Sequence, residues 1–303
     1  MDKKIAAVVV TFNRKELLLK NVNMLLDQKT PLDKIIIIDN ASTDGTHELL
    51  KSQKKIGFST IEYIKLDENI GGAGGFYEGV KHGVSEGYDY LWLMDDDGAP
   101  YNETTFTAIM KKAFDIRKLG YEAIFLNSLV ICDGFNLSFG LQGIKNIKEA
   151  LAAAENGLIP NKANPFNGTL ISKELIEIVG LPNKEFFIKG DENEYLMRCR
   201  KNKAYIATAV DSVYFHPSIP QITYRFLGKV KKIDDESPWK EYYRTRNYTY
   251  MYIQNGRYKN IIDLMLNRMV TVLVSKDRMM KLKMVIKGFG DGLFGRMGKR
   301  VSP

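Results

Sequence analysis

Residues 88–100 read YDYLWLMDDDGAP, an apolar run that ends in three consecutive aspartates. The run has the composition of a buried strand, and alternate side chains of a strand share a face. We therefore expect Asp95 and Asp97 to point together and Asp96 to point away. The repulsion between two such carboxylates is relieved by a divalent cation, for which their oxygens are suitable ligands. The stretch predicts a Mg²⁺ or Mn²⁺ site at a strand end, with a solvated acidic turn as the alternative.

The chain before this strand alternates short β-rich runs with amphipathic helical segments. Ile5–Val10, Ile35–Ile38 and Glu62–Leu66 are the predicted strands. This order predicts an α/β protein with a mostly parallel sheet, and such sheets bind ligands beyond the carboxyl ends of their strands. The segments expected at those ends are mostly polar: Thr11–Arg14 (Thr11, Phe12, Asn13 and Arg14), Asp39–Asn40 and Asp95–Asp97.

One of these strand ends and a glycine-rich stretch bear on nucleotide binding. Asp39 can accept hydrogen bonds from a ribose or base, or it can cap the turn over residues 42–45. The glycine-rich NIGGAGG of residues 69–75 has Tyr77 where the dinucleotide-binding pattern requires glycine, which disfavours a nicotinamide or flavin enzyme. Its glycines, Gly72 among them, allow a ligand to approach the backbone closely, with a flexible turn as the alternative.

Later segments add candidate catalytic and metal-binding groups. Asp191, Glu192 and Glu194 form a second acidic cluster, which predicts either a general base or a helix start stabilised by the helix dipole. His216 lies between aromatic residues and a proline. It is a candidate metal ligand together with Asp97, with an ordinary core or surface histidine as the alternative.

Charge is unevenly distributed along the chain. Residues 1–220 carry 26 Lys+Arg against 29 Asp+Glu, whereas residues 221–303 carry 18 against 7. This asymmetry predicts an anionic partner for the C-terminal third. Two cysteines are too few for a disulfide framework or a cysteine-rich zinc module. The apolar run Ile5–Val10 is short for a signal peptide, and no stretch approaches the roughly 18 apolar residues of a membrane span. Secretion and a membrane span are disfavoured.

Taken together and in order, six motifs resemble those of the inverting glycosyltransferases of family 2. They are VVVTFNR (8–14), IIIIDNASTDGT (35–46), ENIGGAGGF (68–76), LMDDDGAP (93–100), GDENE (190–194) and FHP (215–217). The glycine-rich stretch and the triple aspartate are most similar to bacterial galactofuranosyltransferases and rhamnosyltransferases. WKEYYRTRN (239–247) and KGFGDGLFGRMGK (287–299) also resemble that subgroup.

The resemblance implies a GT-A fold, a Rossmann-like mixed sheet, over residues 1–220. A basic, mainly helical extension over residues 221–303 would contact the acceptor, a membrane or another subunit. It also implies roles for individual residues. For the nucleotide-diphosphate sugar donor they are Thr11, Phe12, Asn13, Arg14, Asp39, Asn69, Gly72, Asp95 and Asp96; for Mn²⁺ or Mg²⁺ they are Asp95, Asp97 and His216. The base falls on Glu192, where aspartate is more usual, or on the adjacent Asp191.

The implied reaction is metal-dependent, inverting transfer of galactofuranose from UDP-galactofuranose to a hydroxyl of a bacterial cell-surface polysaccharide or lipid-linked glycan. Rhamnosyl transfer from dTDP-rhamnose is the alternative within the family. Two alternatives of other classes are a sugar-phosphate nucleotidyltransferase and a non-catalytic nucleotide- or glycan-binding module. The first usually has a glycine- and arginine-rich loop after its first strand, and the second needs no acidic cluster at residues 191–194.

The basic end predicts the surroundings of the reaction. Residues 276–303 hold eight Lys+Arg against two Asp, interleaved with apolar residues. This pattern suits an anionic membrane surface that presents a polyprenyl-linked acceptor. Nucleic acid is the rival anion, but no nucleic-acid-binding motif accompanies the charge. A solvated helix and a homo-oligomer contact are further alternatives. We expect a cytoplasmic protein, peripheral on the inner face of the cell membrane.

Overall fold

The computed structural model describes residues 3–57, 59–218, 221–226 and 229–302. The chain divides into two compact units. The first consists of Met1–Pro182 and Tyr195–Ser218, and the second of Asn183–Glu194 and Ile219–Pro303. Residues 183–194, which carry the second acidic cluster, therefore group with the C-terminal third. The functional division predicted at residue 220 stays a prediction.

The first unit is built on a mixed sheet. Within its described residues the strands are β1 (Ile5–Thr11), β2 (Lys34–Asp39), β3 (Ile61–Lys65), β4 (Tyr90–Asp95), β5 (Ala99–Pro100), β6 (Ile124–Cys132), β7 (Asn136–Leu137), β8 (Leu158–Pro160), β9 (Asn167–Ser172) and β10 (Tyr205–Phe215). Their order is β3-β2-β1-β4-β9-β6-β10-β5, with β7 beside β6 and β8 beside β10. Strands β3, β2, β1 and β4 are parallel, and β9 is antiparallel to both neighbours. The mixed α/β sheet predicted from the sequence is confirmed.

The helices of the first unit cover both faces of this sheet. They are α1 (Lys15–Leu26), α2 (Thr46–Ser52), α3 (Gly71–Ser85), α4 (Thr105–Lys118), α5 (Ile147–Ala152), α6 (Lys173–Val179) and α7 (Asp191–Lys201), whose first residues belong to the second unit. In β1, Ala7 and Val9 join one core with α1 and α4, while Ala6 and Val8 join another with α3, α6 and α7. Because both faces are covered, Ile35–Ile38 of β2 are apolar without alternation and fully buried.

Glycines bring α3 close to the sheet. The glycine-rich stretch, for which a flexible turn was the alternative, is helical from Gly71 onward. A Cβ on Gly75 or Gly79 would lie only 2.4 Å from a valine methyl of β1, and one on Gly83 would lie 2.5 Å from Leu91. These glycines therefore serve close helix–sheet packing. Gly72 differs, because a Cβ there would meet no atom within 4 Å.

The second unit contains a hairpin and three helices. They are β11 (Gln221–Phe226), β12 (Lys229–Asp234), α8 (Pro238–Gln254), α9 (Tyr258–Val274) and α10 (Arg278–Leu293). The sequence predicts helix over 238–255 and 259–287, but it misses both the hairpin and the break that separates α9 from α10. Helix α10 lies close to α8, since a Cβ on Gly288 would be 2.5 Å from the Tyr242 carbonyl oxygen. No helix of the described ranges is long and apolar enough to cross a bilayer.

Charged side chains inside the second unit are paired. Arg268 of α9 donates to Glu241 of α8 at 2.7 Å, and Lys281 of α10 donates to Asp235 at 2.8 Å. Both cations are buried. An unpaired charge at such a position is strongly unfavourable, so these pairs fix how α9 and α10 pack on the rest of the unit.

Glu236 is a third buried charge of this unit. Burial raises its pKa, but the nearby positive charges of Lys189 and Arg244 outweigh burial and hold the pKa below the ordinary value of 4.5. Ionised Glu236 therefore stabilises the folded unit at neutral pH. That contribution is lost as the pH falls through the lowered pKa.

Candidate active site

Three parallel strands end side by side in the first unit. Thr11 at the end of β1 is in register with Asp39 at the end of β2, and Val10 is in register with Asp95 at the end of β4. The polar strand ends predicted from the sequence therefore lie along one edge of the sheet. This edge is where an open α/β sheet binds its ligands.

Asp96 and Asp97 lie in a turn rather than in the strand. Strand β4 ends at Asp95, so the alternation of side chains stops there. Asp96 and Asp97 both accept hydrogen bonds from Arg14 Nη1, at 3.0 and 2.7 Å. The expectation that Asp96 points away from its neighbour is wrong for this reason. Asp96 is also buried and accepts a hydrogen bond from Thr11 Oγ1 at 2.7 Å, which ties the aspartate turn to the end of β1.

Asp97 is paired with His216. Strand β5 pairs with the end of β10, where Phe215 is in register with Ala99, and this pairing brings His216 beside the aspartate turn. His216 Nε2 lies 3.3 Å from Asp97 Oδ1. Burial raises the pKa of Asp97, but His216 and Arg14 outweigh burial and lower it. Burial lowers the pKa of His216, and Asp97 reverses this so that the pKa is raised.

The His216 ring has a defined tautomer. Its Nδ1 lies 2.7 Å from the Pro217 carbonyl oxygen, which can only accept, so Nδ1 carries a hydrogen. An unprotonated Nε2 would direct a lone pair at Asp97 Oδ1, a buried oxygen with no hydrogen-bond partner among the described residues. Two facing acceptors need a proton or a cation between them. The pair therefore fits a divalent cation held by one carboxylate oxygen and one imidazole nitrogen.

Asp95 lies beside this pair, at the end of β4. Burial raises its pKa, and the charges of Asp97 and Asp96 raise it further. In the part of the chain that the structure describes, no three or more His, Cys, Asp or Glu side chains are grouped to hold a metal ion. Two protein ligands suffice where substrate phosphates and water complete the shell. Asp95 as a metal ligand or donor contact stays a prediction.

Asp39 is buried at the end of β2. Its Oδ1 accepts the Ser42 backbone N–H at 2.8 Å, and its Oδ2 accepts the Tyr63 hydroxyl. The turn-capping role weighed for this residue is therefore present, while its contact with a nucleotide stays a prediction. Burial, followed by the hydrogen bond to Asp39, raises the pKa of Tyr63, so the tyrosine remains a donor. Tyr63 belongs to none of the motifs, and sequence reasoning missed its contact with Asp39.

The first two strand-to-helix turns are tied together. Asn13 has a φ of 52°, its N–H donates to Ser42 Oγ at 2.9 Å and its Oδ1 accepts Thr43 N–H at 2.8 Å. Arg14 follows it with its side chain 44% exposed. Asn13 does not cap α1, because Arg14 holds the N-cap position and makes no side-chain capping bond. Phe12, in the same turn, is exposed.

The remaining predicted donor residues lie at the start of α3. Asn69 Oδ1 accepts the Gly71 N–H at 2.8 Å, and Asn40 Nδ2 donates to the Gly71 carbonyl oxygen at 3.2 Å. The latter bond connects this helix start to the end of β2, close to Asp39. The first unit therefore brings together the donor residues and Asp97–His216 pair that the sequence predicted.

In the second unit, the second acidic cluster begins α7. Asp191 is buried. Glu192 Oε2 accepts the Gly190 N–H at 2.9 Å, and Glu192 Oε1 accepts Asn193 Nδ2 at 3.0 Å. Asn193 Nδ2 also lies 2.9 Å from the Tyr248 hydroxyl of α8. The Glu192 carboxylate is thus fixed in orientation, and the helix-start role weighed for the cluster is present.

A family model matches part of the first unit. Residues 6–124 match the family model Glycosyl transferase family 2. Residues 6–124 are thus similar to a glycosyltransferase family 2 domain. The glycosyltransferase is 29% identical to "Galactofuranosyltransferase GlfT1" of Mycolicibacterium smegmatis over 83% of this chain and 84% of that protein. It is 24% identical to "dTDP-rhamnosyl transferase RfbF" of Shigella flexneri over 98% of each chain. The chain is an enzyme, as the motifs predicted.

Solved structures show the same fold. The glycosyltransferase matches the mannosyltransferase PcManGT from Pyrobaculum calidifontis, in complex with GDP-Man and Mn²⁺, with a TM-score of 0.59 and 12% identity over 98% of this chain and 88% of that chain. It also matches S. aureus TarS 1–349 in complex with UDP-GlcNAc, with a TM-score of 0.58 and 13% identity over 96% of this chain and 80% of that chain. The GT-A fold is thus confirmed.

Arg246 and Asn247 of the glycosyltransferase position the loop before α7, a role that sequence reasoning missed. Asn247 Nδ2 donates to the carbonyl oxygens of Phe186, Ile188 and Lys189 at 2.7–2.9 Å. Arg246 Nη2 donates to the Phe186 carbonyl oxygen at 2.8 Å. Phe187 and Lys189 have positive φ, a costly backbone for residues other than glycine, and these bonds hold it in place. The available signal was the motif WKEYYRTRN, quoted above for its resemblance alone.

Proposed function

We propose that the enzyme transfers galactofuranose from UDP-galactofuranose to a hydroxyl of a bacterial glycan, with inversion and with a divalent cation. The observation that carries the metal-dependent reaction is the Asp97–His216 pair at the edge of the sheet. The sugar is inferred from the relatives, because identity to the galactofuranosyltransferase is 29% against 24% for the rhamnosyltransferase. Transfer from dTDP-rhamnose is the second candidate, since that relative matches over the full length of both chains.

Asp97 and His216 would hold the cation, with Asp95 as a further candidate ligand. When bound, the cation would stabilise the negative charge that develops on the departing nucleoside diphosphate. Mn²⁺ in the complex of the mannosyltransferase supports a divalent ion of this kind. Arg14 would contact the same diphosphate, because its guanidinium already lies against the aspartate turn and is partly exposed.

The strand-end residues would bind the rest of the donor. Asp39 is held by Ser42 and Tyr63 and is an acceptor for ribose hydroxyls or a base N–H. Thr11, Phe12, Asn13, Asn69 and Asp96 are proposed contacts from the neighbouring turns. A backbone approach at Gly72 is compatible with the open space around its Cα.

Asp191 or Glu192 would remove the proton of the acceptor hydroxyl. The acceptor oxygen then forms a bond to the anomeric carbon while the bond from that carbon to the diphosphate oxygen breaks. The proton remains on the carboxylate and the electron pair leaves with the nucleotide. A positioned base of this kind contributes about 10²–10⁴ in rate. Asp191→Asn and Glu192→Gln distinguish the two carboxylates. The substitution that removes the base should lower kcat by about 10²–10⁴-fold, and the other should not.

The acceptor that we propose is a cell-surface polysaccharide or a polyprenyl-linked glycan. The enzyme would work as a peripheral protein on the inner face of the membrane. The excess of basic residues in residues 221–303 supports this placement.

A donor screen tests the proposed function. UDP-galactofuranose, dTDP-rhamnose and UDP-galactopyranose are each incubated with a lipid-linked acceptor analogue, with and without Mn²⁺, and scored by released nucleotide and product mass. We expect turnover of UDP-galactofuranose that requires the metal and is lost in Asp97→Asn, while the exposed control Asp115→Asn stays active. If only dTDP-rhamnose is turned over, rhamnose replaces galactofuranose as the proposed donor sugar. If no donor is turned over, the proposal is refuted.

A further inference from the structure

Helix α9 presents an apolar stripe to water. Five of its apolar side chains are each 40–70% exposed, namely Tyr258, Ile262, Leu266, Met269 and Leu273. Their spacings of 4, 4, 3 and 4 residues place them on one side of a helix. The buried side of α9 carries Arg268, which is paired with Glu241, together with Thr271 and Val272. The usual distribution is therefore inverted, with a charged side chain inside and aliphatic side chains outside.

A second set of exposed apolar residues continues beyond the end of α9. Met279 and Met280 at the start of α10 are exposed, and Ile286 and Leu293 follow Met279 at intervals of seven residues. An interval of seven residues is close to two turns, so these side chains form a second line along α10. Large apolar groups in such regular rows mark an interaction site rather than scattered surface residues.

The charges around these rows select the occupant. Within residues 256–302, all of which the structure describes, the exposed acidic side chains are Asp263 and Asp277. The exposed basic side chains in that range are Arg257, Lys259, Lys276, Arg278, Lys283, Lys287, Arg296, Lys299 and Arg300. An occupant must therefore be apolar and anionic at once. An anionic phospholipid bilayer has both properties, whereas a second copy of this chain would bring the same positive charge against it.

We propose that the apolar rows of α9 and α10, with the surrounding cations, form a docking surface for an anionic bilayer. This inference deepens the proposed function, on which it rests for the lipid-linked acceptor, and it names the surface that meets the lipid. The apolar side chains would enter the boundary between headgroups and acyl chains, and the basic side chains would contact lipid phosphates. The surface differs from the predicted basic end of residues 276–303, because α9 supplies half of its apolar part.

Vesicle flotation with the full chain tests this surface. The vesicles are phosphatidylcholine alone or phosphatidylcholine with about 30% phosphatidylglycerol, at low and high salt. We expect flotation with the anionic vesicles only, and less of it at high salt. Replacing Lys276, Arg278 and Lys283 by Gln should weaken binding about 10²-fold, since each cation near the surface contributes about fivefold. The matched control replaces the exposed Lys51, Lys111 and Lys201 by Gln and should bind like the wild type.

The apolar rows are tested separately. Ile262→Ser, Leu266→Ser and Leu273→Ser, combined in one variant, should weaken binding at least about tenfold, because exposed apolar area no longer leaves water. The control replaces Leu119, Leu151 and Ile178, equally exposed residues of the first unit, by Ser. Thermal unfolding monitors folding of each variant.

Several results would overturn the docking proposal. The proposal fails if the wild type does not float, or if the apolar variant floats as well as its control. It also fails if light scattering shows that the wild type is a dimer and the apolar variant a monomer. Transfer to a short soluble acceptor separates this failure from failure of the proposed function. That activity should be unchanged in all four variants, and its absence in the wild type would count against the transferase proposal alone.

Discussion

Arg14→Ala should tighten the binding of Mn²⁺ to the nucleotide-free enzyme. Arg14 Nη1 lies 2.7 Å from Asp97 Oδ2 and 3.0 Å from Asp96 Oδ1, so the guanidinium contacts the carboxylate that we propose as a metal ligand. An incoming cation must share or displace that contact. Removing the guanidinium removes the competitor and leaves the Asp97–His216 pair otherwise intact.

The size of the effect follows from exposure. A charge-assisted hydrogen bond contributes about 1.5–3 kcal/mol when protected from water. The Arg14 side chain is 44% exposed. Solvent screening then reduces the contribution to about 1–1.4 kcal/mol. Because about 1.4 kcal/mol is a factor of ten, the dissociation constant for Mn²⁺ should fall about five- to tenfold.

The assay is titration of free Mn²⁺ by electron paramagnetic resonance, with wild type, Arg14→Ala, Arg14→Lys and the exposed control Arg257→Ala. UDP should tighten Mn²⁺ binding in the wild type, since the diphosphate draws Arg14 away, and should do so less in Arg14→Ala. Equal or weaker binding by nucleotide-free Arg14→Ala would refute the competition. No Mn²⁺ binding by the wild type, even with UDP, would instead refute the metal proposal.

Three further changes test the fold and the loop before α7. Gly79→Ala should destabilise the protein by about 1–2 kcal/mol in urea unfolding, because overpacking outweighs better helix propensity. Gly72→Ala, whose added methyl group meets no neighbouring atom, should be neutral or slightly stabilising, and equal effects of the two changes would contradict the close packing of α3. Glu236→Gln should lower the free energy of unfolding by about 2–4 kcal/mol at pH 7, as measured by tryptophan fluorescence in urea, and the difference should shrink below about pH 4.5. A pH-independent difference would contradict the role of ionised Glu236. Asn247→Ala should lower kcat about 10–10²-fold with donor KM unchanged, and a change in KM alone would oppose its positioning role.

The sheet could be predicted from the sequence because the apolar pattern of a strand such as Ile35–Ile38 indicates burial on both faces. Ile35–Ile38 is apolar without alternation, and only a strand covered on both faces accommodates that pattern. The polar residues directly after such strands, Asp39 and Asp95 among them, then share one edge for geometric reasons alone. His216 could be proposed as a partner for Asp97 from its residue type, but its position beside Asp97 could not be derived, since the short pairing of β5 with β10 leaves no local signal.

Other features depend on contacts that no local pattern contains. Gly71–Gly75 has low helix propensity, and packing on β1 overrides that preference. The expected orientation of Asp96 is wrong because β4 ends at Asp95, so the alternation of side chains does not continue to Asp96. Tyr63 acts on Asp39 from the neighbouring strand, 24 residues away in sequence. The sequence predicts a helix at α9 but not the exposure of its apolar stripe, because periodicity indicates an apolar side and not whether that side is buried.

The ties between α8 and the loop before α7 have a consequence for making hybrids of this enzyme with its relatives. An exchange of C-terminal parts joined near residue 220 would separate Arg246 and Asn247 from the carbonyl groups that they hold. The exchanged module is better taken as two pieces, residues 183–194 and residues 219–303, inherited together. A hybrid joined at these boundaries takes the first unit from one parent, and it takes the acidic start of α7 from the other parent together with the helix whose side chains hold the preceding loop.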